Sequence, residues 1–467
     1  MERSRQQRRL HHGVAQLRHQ FAQCAGSIFW NAMPETEIRQ IVEEEAGAYR
    51  DRIYPPIETL RLFIGQVLSE DRACQEVAGR RLSERIAKGE SACSLNTGPY
   101  CKARQRLPLQ IPVRLLRGLG RRLEAKMQTA WRWRGRCVKL FDGTTVSMPD
   151  TLDNQNIFPQ SPEQKPGLGF PMARIGALIG LASGAVLGHA VAACAGKGSG
   201  EQTLMRSLLP LIEDGDIILA DALLANWCLI ADIKARGGDV VMTQHGSRRT
   251  DFALGTLLGA KDHVVEWPRP KQPTWMSVDD YRRYPQTLRM REVEIGGRVL
   301  VTTILDPDSV APQALDALYA LRWSIEVDFR TIKAGLEMDV LRCQSSAMIE
   351  KEIAVYLLAY NLVRWSIASA AALADVLPRT LSFIGAKRIL LAFADQLRRF
   401  PRKRLSIMLA IVLASIASLR LPHRPGRIEP RAKKRRPKPL PLLTVPRQLA
   451  REKIREIRGY TRLKVAA

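Results

Sequence analysis

Residues 315–336 read LDALYALRWSIEVDFRTIKAGL, and the spacing inside this stretch decides how the rest of the chain is read. Tyr319, Arg322, Glu326 and Lys333 stand at successive offsets of three, four and seven. At about 100° per residue they fall within an arc of roughly 60° on one helical face. Leu318, Leu321, Ile325, Phe329 and Ile332 take the adjoining arc. The pattern predicts a long helix over 313–334 that packs by its apolar stripe and turns a polar edge toward a cleft. A carboxylate then lies between two cations. Alone, Arg322 and Glu326 are an ordinary i,i+4 ion pair worth about 0.2–0.5 kcal/mol.

Two aspartates change that reading. Asp142 closes the run KLFD ahead of Gly-Thr-Thr, and Asp221 closes IILAD. Both runs read as buried strands, and a carboxylate at a strand end is fixed by the sheet yet open to a ligand. Taken singly, either aspartate also fits a loop or helix-cap position. Two Asp and one Glu supply hard oxygen donors suited to Mg²⁺, and two such ions about 4 Å apart suit in-line phosphoryl displacement.

Outward from these residues the chain divides by pattern. Residues 1–135 are helical, with apolar positions at helical spacing in ETLRLFIGQVL and ACQEVAGRRLSERI. Within SLNTGPYCKARQRLP, Asn96 or Thr97 is placed to cap a short helix bearing Lys102, Arg104 and Arg106. This region fits either a helix-turn-helix DNA reader or a bundle with a solvated charged face. From 136 to 242 the order is strand, hairpin, helix, strand, helix, strand, an α/β mixed sheet with a turn at Ser183-Gly184. Residues 243–312 form a β-rich insertion with a two-residue turn at Gly296-Gly297. Residues 313–400 return to helix and complete the core, and 401–467 hold a last helix and a Pro- and Lys/Arg-rich tail that cannot bury a core.

The bulk numbers name the partner class. The 467 residues carry a net charge of +26 and a pI near 10.2, with 46% hydrophobic and 6% aromatic residues. Clustered positive charge is rewarded by phosphates through counterion release, so nucleic acid is the expected partner, ahead of an anionic membrane. Neither 173–194 nor 405–419 reads as a membrane span. The N-terminus MERSRQQRRL precedes no secretory apolar core, and the eight cysteines contain no C-x-x-C pair, which predicts a reducing, cytoplasmic setting without a zinc site. His11, His12, His19 and Cys24 are read as part of a basic arm. AGKGSGEQT lacks the order of a phosphate-binding P-loop and is read as a loop between strand and helix.

At Tyr319, Arg322, Glu326 and Lys333 the sequence resembles the insertion-sequence DDE transposases of the IS-four group, whose third acidic residue lies in a Y-x2-R-x3-E-x6-K signature. FDGTT resembles the family's first acidic segment, ILAD its second, and TGPYCKARQRL a helical region upstream; the likeness spans roughly residues 55 to 400. It implies a ribonuclease H-like catalytic core in which Asp142, Asp221 and Glu326 hold Mg²⁺ or Mn²⁺ as two ions. Arg322 and Lys333 would bind phosphate, and Tyr319 would contact DNA near the cut. The activity implied is cut-and-paste transposition by a dimer acting on transposon ends and target DNA, in a bacterial cytoplasm at the nucleoid. A nuclease without strand transfer and a catalytically silent DNA-binding derivative share most of these features. Relatives that flip a base onto an insertion-domain Trp make Trp267 and Trp275 candidates for stacking. One departure is Asp221-Ala222-Leu223, where the family often has a basic or glycine residue after the second Asp. Asp214 and Asp216 are the alternatives, in a setting that reads as a turn.

Overall fold

The computed structural model describes residues 32–49, 52–196, 198–399, 402–422 and 442–457. The expected arm around His11, His12, His19 and Cys24, and most of the basic stretch 424–443, lie outside the described residues. Among the described residues five helices come first: α1 (Glu35–Ala46), α2 (Pro56–Leu68), α3 (Cys74–Ala87), α4 (Gly98–Arg106) and α5 (Gln110–Lys126). The sheet follows with β1 (Val138–Ser147), short helix α6 (Leu152–Ile157), β2 (Met172–Gly180), β3 (Val186–Ala193), α7 (Glu201–Leu208), β4 (Ile217–Ala220), α8 (Trp227–Lys234) and β5 (Asp239–Thr243). Next come β6 (Thr256–Gly259), β7 (Asp262–Pro268), α9 (Val278–Arg283), β8 (Thr287–Ile295) and β9 (Arg298–Thr302).

The nine strands of the described residues make one sheet in the order β3-β2-β1-β4-β5-β9-β8-β7-β6. β1, β2 and β3 are antiparallel neighbours, whereas β1, β4 and β5 run parallel. An antiparallel meander followed by two parallel strands is the ribonuclease H-like arrangement, so the core has the expected α/β class. The strands of 243–312 are no separate layer, because β9 pairs antiparallel with β5 and extends the same sheet. Both glycine turns form as the sequence predicts. Gly184 has φ +67° between β2 and β3, and Gly296 and Gly297 have φ +60° and +75° between β8 and β9, the left-handed pair that a two-residue hairpin turn requires.

Alternation along the strands builds two cores. Val138, Leu140 and Val146 of β1, with Ile217 and Leu219 of β4, face the layer formed by α1, α2, α5 and the C-terminal helices. Phe141, Ile218 and Ala220 face the opposite layer, where Leu204, Met205 and Leu208 of α7 and Trp227, Leu229 and Ile230 of α8 pack. Period-2 geometry thus gives every β1 side chain one layer or the other.

The segment around Glu326 is helical throughout 312–335 but not one ideal helix. α10 (Pro312–Ala320) leads through a 3₁₀ turn (Leu321–Trp323) into α11 (Ser324–Arg330) and a π segment (Thr331–Gly335). Three longer helices follow: α12 (Ser346–Ala374), α13 (Phe383–Arg399) and α14 (Arg402–Ser418), then α15 (Arg447–Ile457). Among the described residues α12 alone is long and apolar enough to cross a membrane, and 94% of its most apolar window is buried inside the fold. It is the central core helix, packed by α2, α5, α13 and α14.

Candidate active site

The register of the parallel pair brings the two aspartates together. Val138, Lys139 and Leu140 of β1 lie beside Ile217, Ile218 and Leu219 of β4, and the same register carried two residues on sets Asp142 beside Asp221. β4 stops at Ala220, so this pair stands where β1 loses its parallel neighbour. Asp142 is therefore at the end of a strand pairing rather than at the end of its strand, because β1 continues antiparallel to β2 as far as Ser147. By alternation its side chain belongs to the layer of Leu140 and Val146, the layer that contains Ile325 and Phe329 of α11. Glu326 is carried on that helix.

Arg322 links the two sources. Its guanidinium lies 3.5 Å from Asp142 Oδ2 and 3.2 Å from Glu326 Oε1. Burial pushes the Asp142 carboxyl up from its ordinary value, and the negative charges of Asp221 and Glu326 push the same way; the Gly143 N–H and Arg322 oppose them. The three acids thus share one electrostatic neighbourhood. Asp221 begins a 3₁₀ turn, and its Oδ1 accepts the Leu223 N–H at 3.0 Å, so the helix-cap reading of this residue and its place beside Asp142 are both realised. The alternative Asp216 is held by Lys139 at 2.5 Å inside the fold.

Of the other signature residues, Lys333 is half-buried in the π segment, a backbone form that recurs at functional sites. Tyr319 departs from the expected face. It is only 7% exposed, and its hydroxyl lies 3.0 Å from Thr243 Oγ1 at the end of β5, with Arg298 over its ring. The 3₁₀ turn after it alters the angular step that the 100° reading assumed. Tyr319 braces α10 on the sheet and presents no face to DNA in this arrangement.

The upstream basic helix also splits. Lys102 and Arg106 are exposed and line, with Arg52, Tyr49 and Tyr54, a cavity of about 1050 Å³. Arg104 turns inward, 5.0 Å from the Phe63 and Tyr100 ring centres and 3.3 Å from Cys74 Sγ. Trp267 is 2% exposed, donates to Glu292 at 2.7 Å and lies under Arg248, so it has no free face for a base. Trp275 is 57% exposed, with the Arg206 guanidinium 4.2 Å from its ring centre.

The sequence reading passed over Glu201. This half-buried first residue of α7 lies with its carboxylate against Gly143, where an added Cβ would collide with it. Burial and the charges of Asp142 and Asp221 push its carboxyl up, and Arg174 opposes them. A signal was present: an isolated glycine inside a strand marks close approach by another group.

Residues 133–362, which carry Asp142, Asp221 and Glu326, match the transposase DDE domain. The transposase InsG for insertion sequence element IS4 of Escherichia coli (strain K12) is 26% identical over 321 residues, 65% of this chain and 69% of that one. The chain is a DDE transposase of the IS4 group. A putative transposase InsL for insertion sequence element IS186A, also of E. coli K12, is 30% identical over 86 residues, 18% of this transposase and 23% of the relative. The piggyBac transposase, solved as a synaptic complex with hairpin DNA, covers 86% of each chain at a TM-score of 0.39 and 10% identity.

DDE transposases cleave DNA and transfer strands, and they are generally dependent on divalent metal. The donors here fit such an ion in kind, being carboxylate oxygens only. Among the described residues no three His, Cys, Asp or Glu side chains converge on one ion position in this arrangement, and Arg322 spans Asp142 and Glu326.

Proposed function

We propose that this transposase cuts the ends of its element and joins them to target DNA, with Asp142, Asp221 and Glu326 as the residues that hold Mg²⁺ or Mn²⁺, two ions in all. The observation that supports the assignment is the Arg322 guanidinium bridging Asp142 of β1 and Glu326 of α11, with Asp221 next to Asp142 by the β1–β4 register. When bound, the ions would lower the pKa of the attacking oxygen and stabilise the leaving one.

In the first step an oxygen–phosphorus bond forms from water and the bond to the 3′-oxygen breaks, leaving a 5′-phosphate and a free 3′-hydroxyl. In the second, that hydroxyl attacks a phosphodiester of the opposite strand or the target, and the displaced oxygen takes up a proton. Asp142 and Asp221 are fixed by backbone register, so they set the plane of the site. Glu326 arrives from the helical layer and closes it. Arg322 and Lys333 carry the positive charge that neutralises the phosphate, and Arg322 exchanges its carboxylates for that phosphate as DNA enters. Lys102 and Arg106 extend the contact along the DNA backbone, Trp275 offers the exposed ring of the insertion for stacking, and two copies acting on two ends give a dimer. Such an enzyme works where bacterial DNA is, in the cytoplasm at the nucleoid.

The test is cleavage of labelled element-end DNA by the purified full chain in Mg²⁺. Glu326→Gln is expected to lower cleavage at least about 100-fold, since it replaces a charged ligand by a neutral one. Equal cleavage by both proteins would sink the assignment of Glu326. Nicking without joining would reduce the enzyme to a nuclease, and short inverted repeats bracketing the reading frame would support transposition directly.

A further inference from the structure

Gly143 and Gly176 are cross-strand partners on β1 and β2, and directly opposed residues point to the same face of a sheet. That face is the one covered by α7, since Phe141 and Leu178, two residues from each glycine, pack with Leu204, Met205 and Leu208. Neither glycine leaves space for a side chain. A Cβ at Gly176 would lie 2.9 Å from Leu204 Cβ, and one at Gly143 would strike the Glu201 carboxylate. α7 is therefore seated directly on backbone, and its first residue is pressed to the strand next to Asp142.

Glu201 and Glu326 approach β1 from opposite layers. Glu326 comes from the layer of Ile325 and Phe329, and Glu201 from the layer of Leu204 and Met205. β4 ends at Ala220, so β1 has no parallel strand beside it at Asp142. The Glu201 carboxylate lies against β1 at Gly143, the residue that follows Asp142. Two ions handling one phosphodiester need many oxygen donors, and Asp221 already gives one oxygen to the Leu223 N–H.

We propose that Glu201 is a fourth acid of the catalytic centre, reaching across the glycine gap in β1 to help hold the divalent cation on the side opposite Glu326. The inference rests on the assignment of Asp142, Asp221 and Glu326 above. The rival role for Glu201 is a favourable negative charge at the start of a helix, which requires no cation.

The two separate in Mn²⁺ binding to the full chain without DNA, followed by calorimetry and by the Mn²⁺ electron paramagnetic resonance signal. Glu201→Gln is expected to weaken Mn²⁺ binding by about 10- to 100-fold, and Asp142→Asn by at least as much. Glu201→Asp keeps the charge at the helix start but draws the carboxylate back from Gly143, so it is expected to fold normally and still bind Mn²⁺ more weakly. Gly143→Ala, which fills the gap, is expected to show the same loss. Wild-type Mn²⁺ affinity in both Glu201 variants, with affinity lost in Asp142→Asn, would overturn the proposal and leave the triad standing. Wild-type affinity in Asp142→Asn as well would overturn the triad itself and Glu201 with it.

Discussion

Glu326 and Asp328 stand two residues apart on α11 and face opposite circumstances. Asp328 is fully buried. Arg364 donates to it at 2.9 Å, Arg379 at 2.8 and 3.0 Å, and the Tyr360 hydroxyl lies 3.2 Å away. Arg379 also donates to the Gly180 carbonyl and Tyr360 reaches that of Gly184, so this one carboxylate ties the helix to α12 and to the β2–β3 turn. Glu326 has a third of its side chain exposed and, among the described residues, a single side-chain hydrogen-bond partner, Arg322. A helix pinned by its inner carboxylate can leave the outer one short of partners. That shortage is what a metal ligand requires, since a fully satisfied carboxylate has no oxygen to give.

The largest expected effect breaks the inner half. Asp328→Ala strands two guanidinium groups against the core and is expected to destabilise the fold by about 3–5 kcal/mol, measured by urea unfolding. A loss below about 1 kcal/mol would show that the network is ornamental and that α11 is held by Ile325 and Phe329 alone. Next comes Tyr319→Phe, which removes the hydroxyl partner of Thr243 and is expected to cost about 0.5–1.5 kcal/mol. Unchanged stability together with weaker binding of end DNA would return Tyr319 to the DNA-contacting role that the signature spacing suggested. The smallest change belongs to the outer half: Arg322→Ala breaks two long, partly solvated ion pairs and is expected to alter stability by less than about 1 kcal/mol. Its affinity for end DNA should fall and lose part of its salt dependence, read as a shallower slope of log affinity against log salt.

The contrast also explains what the sequence disclosed. Strand alternation and the Gly296-Gly297 turn are local, so the sheet and its hairpins were legible. The strand setting of Asp142 and Asp221 was legible for the same reason, each following an apolar run, although β1 runs on past Asp142 and their adjacency depends on a register that only the folded sheet supplies. The face of the signature helix was read at one angular step, whereas tertiary packing winds it tighter at Leu321–Trp323 and looser at Thr331–Gly335. Tyr319 consequently turned inward. Trp267 looked like any other Trp in a proline-rich stretch, and its burial under Arg248 comes from a distant segment. Glu201 lay in what read as a glycine-rich loop, and its neighbour in space, Gly143, lies far away in sequence.

Because β9 is hydrogen-bonded to β5, the outer strands cannot swing independently of the ones that carry the aspartates. From β1 to β8 there are four strand intervals, roughly 19 Å at about 4.8 Å each. The distance from Asp142 to the outer strands is therefore set by backbone hydrogen bonds, and the sheet holds it as a ruler holds its marks.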